Sequence, residues 1–275
     1  MLIKRIITGI IGIIATIYVV NYGGAVFGLS VILFAMIGWH EFFKAFKNIG
    51  IKLWYSFGML TIVFLLSCAW IGNSQEFVAV LTISFLMILG KVVLDYTNFT
   101  LNHAAMTVSG IFYIALSFAH LILLRFTDDA VMIETAIGSI SAGGALLWVA
   151  FVGTWASDTF AFFVGSRIGK HKLCPTISPG KTVEGFIGGI IGTILLLIGL
   201  AHLFHFSILH MSILGICIAV VATIGDLVES SIKRLTGIKD SGQLLPGHGG
   251  ALDRFDSIMF TVPFVYYYIH LFKLY

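Results

Sequence analysis

The chain has 275 residues, 59% of them hydrophobic and 11% charged, with 16 Lys and Arg against 13 Asp and Glu for a net charge of +3. That composition excludes an ordinary soluble domain, because several runs exceed the ~18 apolar residues that suggest a membrane-spanning helix. The short basic loops beside those runs give no sign of nucleic-acid binding, and Cys68, Cys174 and Cys217, odd in number and lacking any CxxC pair, imply neither a disulfide framework nor a zinc site.

Nine apolar segments are expected, near residues 3–20, 24–43, 53–71, 77–94, 105–124, 144–166, 184–203, 207–225 and 257–273. They are too long for strands and lack period-2 alternation, so the predicted fold is all-α, a polytopic integral membrane helical bundle. It reads as a single membrane domain over 1–275, with N-terminal helices over 1–140 and catalytic helices over 141–275. The first helix starts directly after Lys4 and Arg5 and has no small-residue cleavage site, so it is expected to be retained. A cytoplasmic N-terminus places fourteen of the 16 Lys and Arg inside, all but Arg125 and Lys273, as the positive-inside rule demands. It also places the charged loops 166–183 and 226–256 on the cytoplasmic side.

The early segments carry little chemistry. His40 and Glu41, in GWHEFFKAF, read either as an interfacial helix end anchored by Trp39, Lys44 and Phe46 or as lining of a substrate cavity. The 125–140 loop, with Asp128, Asp129 and Glu134, reads as a solvated outer loop.

The sixth segment carries Asp158 within an apolar helix. It could serve as a structural hydrogen-bond acceptor or belong to a site. Arg167 and Lys170 leave that helix into a short loop, where Ser178, Lys181 and Thr182 precede Glu184 at a helix start. Hydroxyls, a lysine and free backbone N–H groups at a helix N-terminus suit an anion. The alternative is a loop that only obeys the positive-inside rule, with Glu184 favoured there by the helix dipole. The GxxxxGK[ST] spacing of a P-loop is absent. Downstream, Gly185, Gly188, Gly189 and Gly192 have the spacing of close helix packing.

The densest polar stretch is GDLVESSIKRLTGIKDSGQLLPGHGGALDRFDS, residues 225–257. If the eighth helix continues past Gly225, Asp226, Glu229 and Lys233 share one face at i, i+3, i+7 spacing. Asp253 and Asp256 are likewise expected on one face of the ninth helix. Gathered carboxylates repel unless cations intervene, and hard oxygen ligands near phosphate favour magnesium. Lys233, Arg234, Lys239 and Arg254 could neutralise phosphate oxygens. His248 could contact phosphate, assist proton movement or cap a turn.

The run from Ser231 through Lys233, Arg234, Lys239, Asp240, Gly242, Pro246, His248, Gly249, Gly250, Asp253 and Arg254 to Asp256 resembles the signature of phosphatidate cytidylyltransferases. The Ser178–Gly185 block resembles that family's second common element. The resemblance implies that CTP and phosphatidic acid give CDP-diacylglycerol and pyrophosphate, with magnesium as cofactor and a second cation left open. It assigns Asp226 and Asp253 as leading metal ligands, with Asp256 and Asp240 as helpers. It makes Lys233, Arg234, Lys239 and Arg254 phosphate binders, with Arg167, Lys170, Ser178, Lys181, Thr182 and Glu184 around nucleotide or headgroup and Asp158 completing the polar pocket. The expected setting is a bacterial cytoplasmic (inner) membrane among its lipids, with the site facing the cytoplasm and a homodimer left open. A CTP-dependent lipid kinase is the nearest rival. An ion or solute transporter is more distant, because the charges cluster on one face and no inverted repeat is apparent.

Overall fold

The computed structural model describes the backbone of residues 2–136, 138–242 and 249–274, with side chains from residue 8 onward. Every expected apolar segment is helical. In chain order these are α1 (Leu2–Tyr22), α2 (Gly24–Lys47), α3 (Tyr55–Ile71), α4 (Ser74–Leu94) and α5 (Leu101–Ile111), which continues through a π-helical turn (Phe112–Leu116) into α6 (Ser117–Arg125). Then come α7 (Ala142–Ile168), α8 (Val183–Phe204), α9 (Ile208–Thr236), the single turn α10 (Leu252–Phe255) and α11 (Ile258–Phe272). Among the described residues six helices are long and apolar enough to cross a membrane: Gly24–Lys47, Ser74–Leu94, Leu101–Arg125, Ala142–Ile168, Val183–Phe204 and Ile208–Thr236. The apolar helices Thr8–Tyr22, Tyr55–Ile71 and Ile258–Phe272 are shorter. Large apolar side chains such as Leu33, Phe64, Ile191 and Leu195 stand exposed, as they do where the solvent is lipid. The protein is a polytopic helical membrane protein.

One conditional expectation is met and another needs correction. Helix α9 continues past Gly225, the condition for Asp226, Glu229 and Lys233 to share a face, and runs to Thr236. No glycine or proline interrupts residues 226–236, and Lys233 and Arg234 in the last turn favour the C-terminal dipole. Gly237, at φ 68°, then turns the chain, with Ile238 N–H donating to Lys233 O at 3.0 Å. Asp253 and Asp256, by contrast, do not share a helix: Asp253 lies in α10, and Asp256 in the turn before α11. The all-α class holds, with two short hairpins added to the helices. Strands β1 (Met132–Thr135) and β2 (Gly138–Ser141) pair antiparallel, as do β3 (Lys172–Cys174) and β4 (Ser178–Thr182). Such short strands leave no alternating pattern long enough to read.

The chain divides into two compact units. The first comprises Met1–Leu123 and Lys233–Arg254. Its core is aromatic: Trp39 is fully buried, its indole N–H donates to Tyr55 O at 2.9 Å, and its ring lies on Gly58. The Phe42 and Phe46 rings lie tilted against each other with centroids 4.5 Å apart, both buried. Trp39 and Phe46 are therefore core residues, not interfacial anchors. Trp39 and Phe42 pack where Gly58 and Gly110 leave room for their rings.

The second unit comprises Leu124–Ile232 and Phe255–Tyr275. Within it α7 and α8 meet along the glycine stripe that the sequence pattern marked. A Cβ on Gly188 would lie 2.5 Å from Val164, one on Gly185 2.7 Å from Ala161 O, and one on Gly192 inside the Phe160 ring. Thr154 and Thr261 join α7 to α11 through their hydroxyls at 2.8 Å. In the 125–140 loop Asp128, Asp129 and Glu134 are exposed, in keeping with a solvated loop, while Arg125 is buried and donates to Asp129 at 2.6 Å and to Ser141 Oγ at 3.0 Å.

The seam makes a stability prediction. Gly188→Leu is expected to cost about 1–3 kcal/mol by overpacking and to lower the thermal midpoint in detergent. Gly199→Leu, on the same helix with nothing near its Cβ position, should leave the midpoint unchanged. Equal midpoints for both variants would show that the seam is not tight.

Candidate active site

Each unit has contacts of its own among the polar residues singled out by the sequence. In the second unit, β4 carries Lys181 and α9 carries Asp226. Lys181 Nζ lies 2.6 Å from Asp226 Oδ2, and Ser230, one helical turn on, donates to Asp226 Oδ1 at 3.2 Å. Asp158, exposed on α7, is within electrostatic reach of both Lys181 and Asp226. The pair is half-buried, with side chains 22% and 30% exposed. Two carboxyl groups and one ammonium thus form one cluster. Gly225 brings α9 against the turn before α11: a Cβ there would lie 2.7 Å from Asp256 O. The Asp256 carboxylate accepts the Ser257 N–H at 2.7 Å.

The loop before α8 is held by its own residues. Thr182 caps α8, its hydroxyl accepting Gly185 N–H at 3.1 Å. Glu184 accepts the backbone N–H of Lys170 at 3.0 Å and of His171 at 3.2 Å, and pairs with the His171 ring at 2.6 Å. Both side chains thus shape the loop. Arg167 and Lys170 are exposed at the end of α7, and Ser178 pairs with Cys174 in the hairpin.

In the first unit the centre is Asp253. Lys233 Nζ donates to its Oδ1 at 2.9 Å, while Oδ2 accepts Gly250 N–H at 2.8 Å, Ser241 N–H at 2.9 Å and Ser241 Oγ–H at 2.7 Å. Burial works against its ionisation, but the Gly250 N–H, Lys233 and Ser241 outweigh that and hold its pKa at about 2. It is a carboxylate at any physiological pH. Gly249 is required here twice over, by φ 83° and because a Cβ would lie 2.6 Å from Asp253 Oδ2. Arg234, Lys239, Asp240 and Arg254 are exposed around this centre. His248 lies outside the described residues, as do Pro246 and Gly247.

Sequence reasoning placed the lysines as phosphate binders without seeing that two of them already face the aspartates. It passed over Ser230 and Ser241. It read Glu41 as an interfacial helix end or as cavity lining, whereas Glu41 is buried against the Asp253 loop. The signal for it was an acid beside His40, between the aromatic residues Trp39 and Phe42.

A family model described as the cytidylyltransferase family matches residues 3–272, and the chain belongs to that family. Among its relatives, the phosphatidate cytidylyltransferase of Staphylococcus haemolyticus is 34% identical over 265 residues, covering 94% of this chain and 95% of the relative. The phosphatidate cytidylyltransferase of Bacillus subtilis is 32% identical over 276 residues, covering 98% of each.

Proposed function

We propose that this chain is a phosphatidate cytidylyltransferase, joining CTP and phosphatidic acid to give CDP-diacylglycerol and pyrophosphate. The observation that carries the reading is similarity along nearly the whole chain to relatives named for that activity. The lysine–aspartate clusters agree with it. An oxygen of the lipid phosphate attacks the α-phosphorus of CTP, a new P–O bond forms, and the bond to the β-phosphate oxygen breaks to release pyrophosphate. The phosphate monoester is already ionised near neutrality, so no strong general base is required. What remains for the protein is positioning and charge neutralisation.

Lys181 and Lys233 sit where an incoming phosphate can share their charge with Asp226 and Asp253. Arg234, Lys239 and Arg254 are exposed and are proposed to bind the triphosphate. Ser178 and Lys170 stand on the loop that Glu184 and Thr182 shape. Among the described residues no three His, Cys, Asp or Glu side chains form a cluster that could enclose a metal ion. The donor set is nonetheless carboxylate oxygen beside phosphate-binding lysines, which fits magnesium held by one or two carboxylates plus substrate phosphates. Asp226 and Asp253, helped by Asp256, are the proposed ligands. When bound, magnesium would neutralise triphosphate charge and favour pyrophosphate departure.

The proposed topology has nine spans, a cytoplasmic N-terminus and both polar loops facing the cytoplasm. This fits the asymmetry of Lys and Arg and the location of CTP. The proposed location is the bacterial inner membrane, where acyl chains reach the site sideways from the lipid.

Product analysis tests the reading. Purified protein in detergent, given radiolabelled CTP, phosphatidic acid and magnesium, should yield lipid-linked cytidine with one pyrophosphate per turnover. Release of CDP on addition of a lipid alcohol, without lipid-linked cytidine, would identify a kinase instead.

A further inference from the structure

Glu41 is 5% exposed, in the last turns of α2, and its carboxylate is given over to one distant loop. Oε1 accepts Ala251 N–H at 2.9 Å and Oε2 accepts Leu252 N–H at 2.9 Å. A buried carboxylate is tolerated when hydrogen-bonded in this way, and N–H bonds to a charged acceptor are among the stronger ones. Two glycines make the approach possible: a Cβ on Gly242 or on Gly250 would collide with the Glu41 carboxylate. The Leu252 side chain rests at Gly38, 3.2 Å from where a Cβ would be, which gives the loop a second hold on α2.

The next peptide back along the loop does different work. Gly250 N–H donates to Asp253 Oδ2 at 2.8 Å. Three consecutive N–H groups therefore split between two carboxylates, one to Asp253 and two to Glu41. Ser241 Oγ stands between them, 2.7 Å from Asp253 and 3.4 Å from Glu41. Its single proton goes to the nearer oxygen. Moving the Glu41 carboxylate shifts Ala251 and Leu252, and with them the Gly250 N–H and the start of α10, on which Asp253 is mounted.

We propose that Glu41 is a positioning residue for the reaction: it clasps the 249–252 backbone so that Asp253 is presented in a fixed orientation. The proposal rests on the reading of Asp253 as a working group of the cytidylyltransferase site. Glu41 itself touches no substrate.

Glu41→Gln is the test. It keeps the size of the side chain but offers one acceptor oxygen to two N–H donors and turns an NH2 group toward one of them. The folded variant should lose about 10- to 100-fold in kcat, the scale set by slight misplacement of reacting groups, with KM for CTP and phosphatidic acid held within about threefold. Hydrogen–deuterium exchange of peptides covering 249–254 should speed up while α3 peptides do not change. Wild-type kcat in Glu41→Gln, or unchanged exchange in 249–254, overturns the proposal. If that variant does not fold, Gly250→Ala, which presses a methyl group onto an intact Glu41, should show the same kcat loss and the same local exchange, and wild-type behaviour there overturns the proposal equally. Absence of lipid-linked cytidine from the wild-type protein would defeat the functional reading alone, because the exchange measurement still decides whether Glu41 holds the loop.

Discussion

Asp253→Asn and Asp226→Asn are each expected to reduce turnover about a thousandfold or more, the upper range for losing one preorganised electrostatic group, while the protein remains folded in detergent. Asparagine keeps the shape and one oxygen of each side chain but removes the charge that Lys233 and Lys181 face at 2.9 and 2.6 Å. Removing one partner of an ion pair leaves the other uncompensated, so a moderate fall in thermal midpoint is expected as well. The double variant Lys181→Met/Asp226→Asn separates the two effects: it should recover the midpoint without recovering turnover. Initial rates of CDP-diacylglycerol formation provide the measurement. Full activity in either single variant would remove that aspartate from the site.

Lys181→Ala is expected to act differently, raising the apparent KM for CTP or phosphatidic acid about tenfold, the size of one charge-assisted contact to phosphate. Lys181 is the ammonium that both Asp158 and Asp226 sense. Without it, two carboxylates confront an incoming polyanion with no local counter-charge. Lys181→Arg should restore part of the affinity, because charge returns while the compact geometry of the ammonium does not. Rates measured over a substrate series decide the matter, and kinetics unchanged in Lys181→Ala would place this residue outside the site.

The helices were legible because their cause is local. A run of apolar residues in lipid must close its own backbone hydrogen bonds, and a helix is how a single segment does so. The extension of α9 from Gly225 to Thr236 was open to inference from the same rule, since only Gly237 breaks the pattern. The α7–α8 seam was legible too, in the spacing of Gly185, Gly188, Gly189 and Gly192. What could not be read was pairing between distant segments. Nothing near Lys181 marks Asp226 as its partner, and nothing in GWHEFFKAF points to a backbone 210 residues away. The aspartates and lysines of the signature were visible as a charged cluster, but their division between two compact units is a property of the folded chain.

The lysine–aspartate pairs also bear on how such a protein is made. A carboxylate left without a counter-charge near a bilayer is costly, and the chain is synthesised from the N-terminus with early segments folding first. In both pairs the cation comes earlier: Lys181 before Asp226, and Lys233 before Asp253. Each aspartate therefore follows its counter-charge out of the ribosome, and neither acid waits for a partner still to be made.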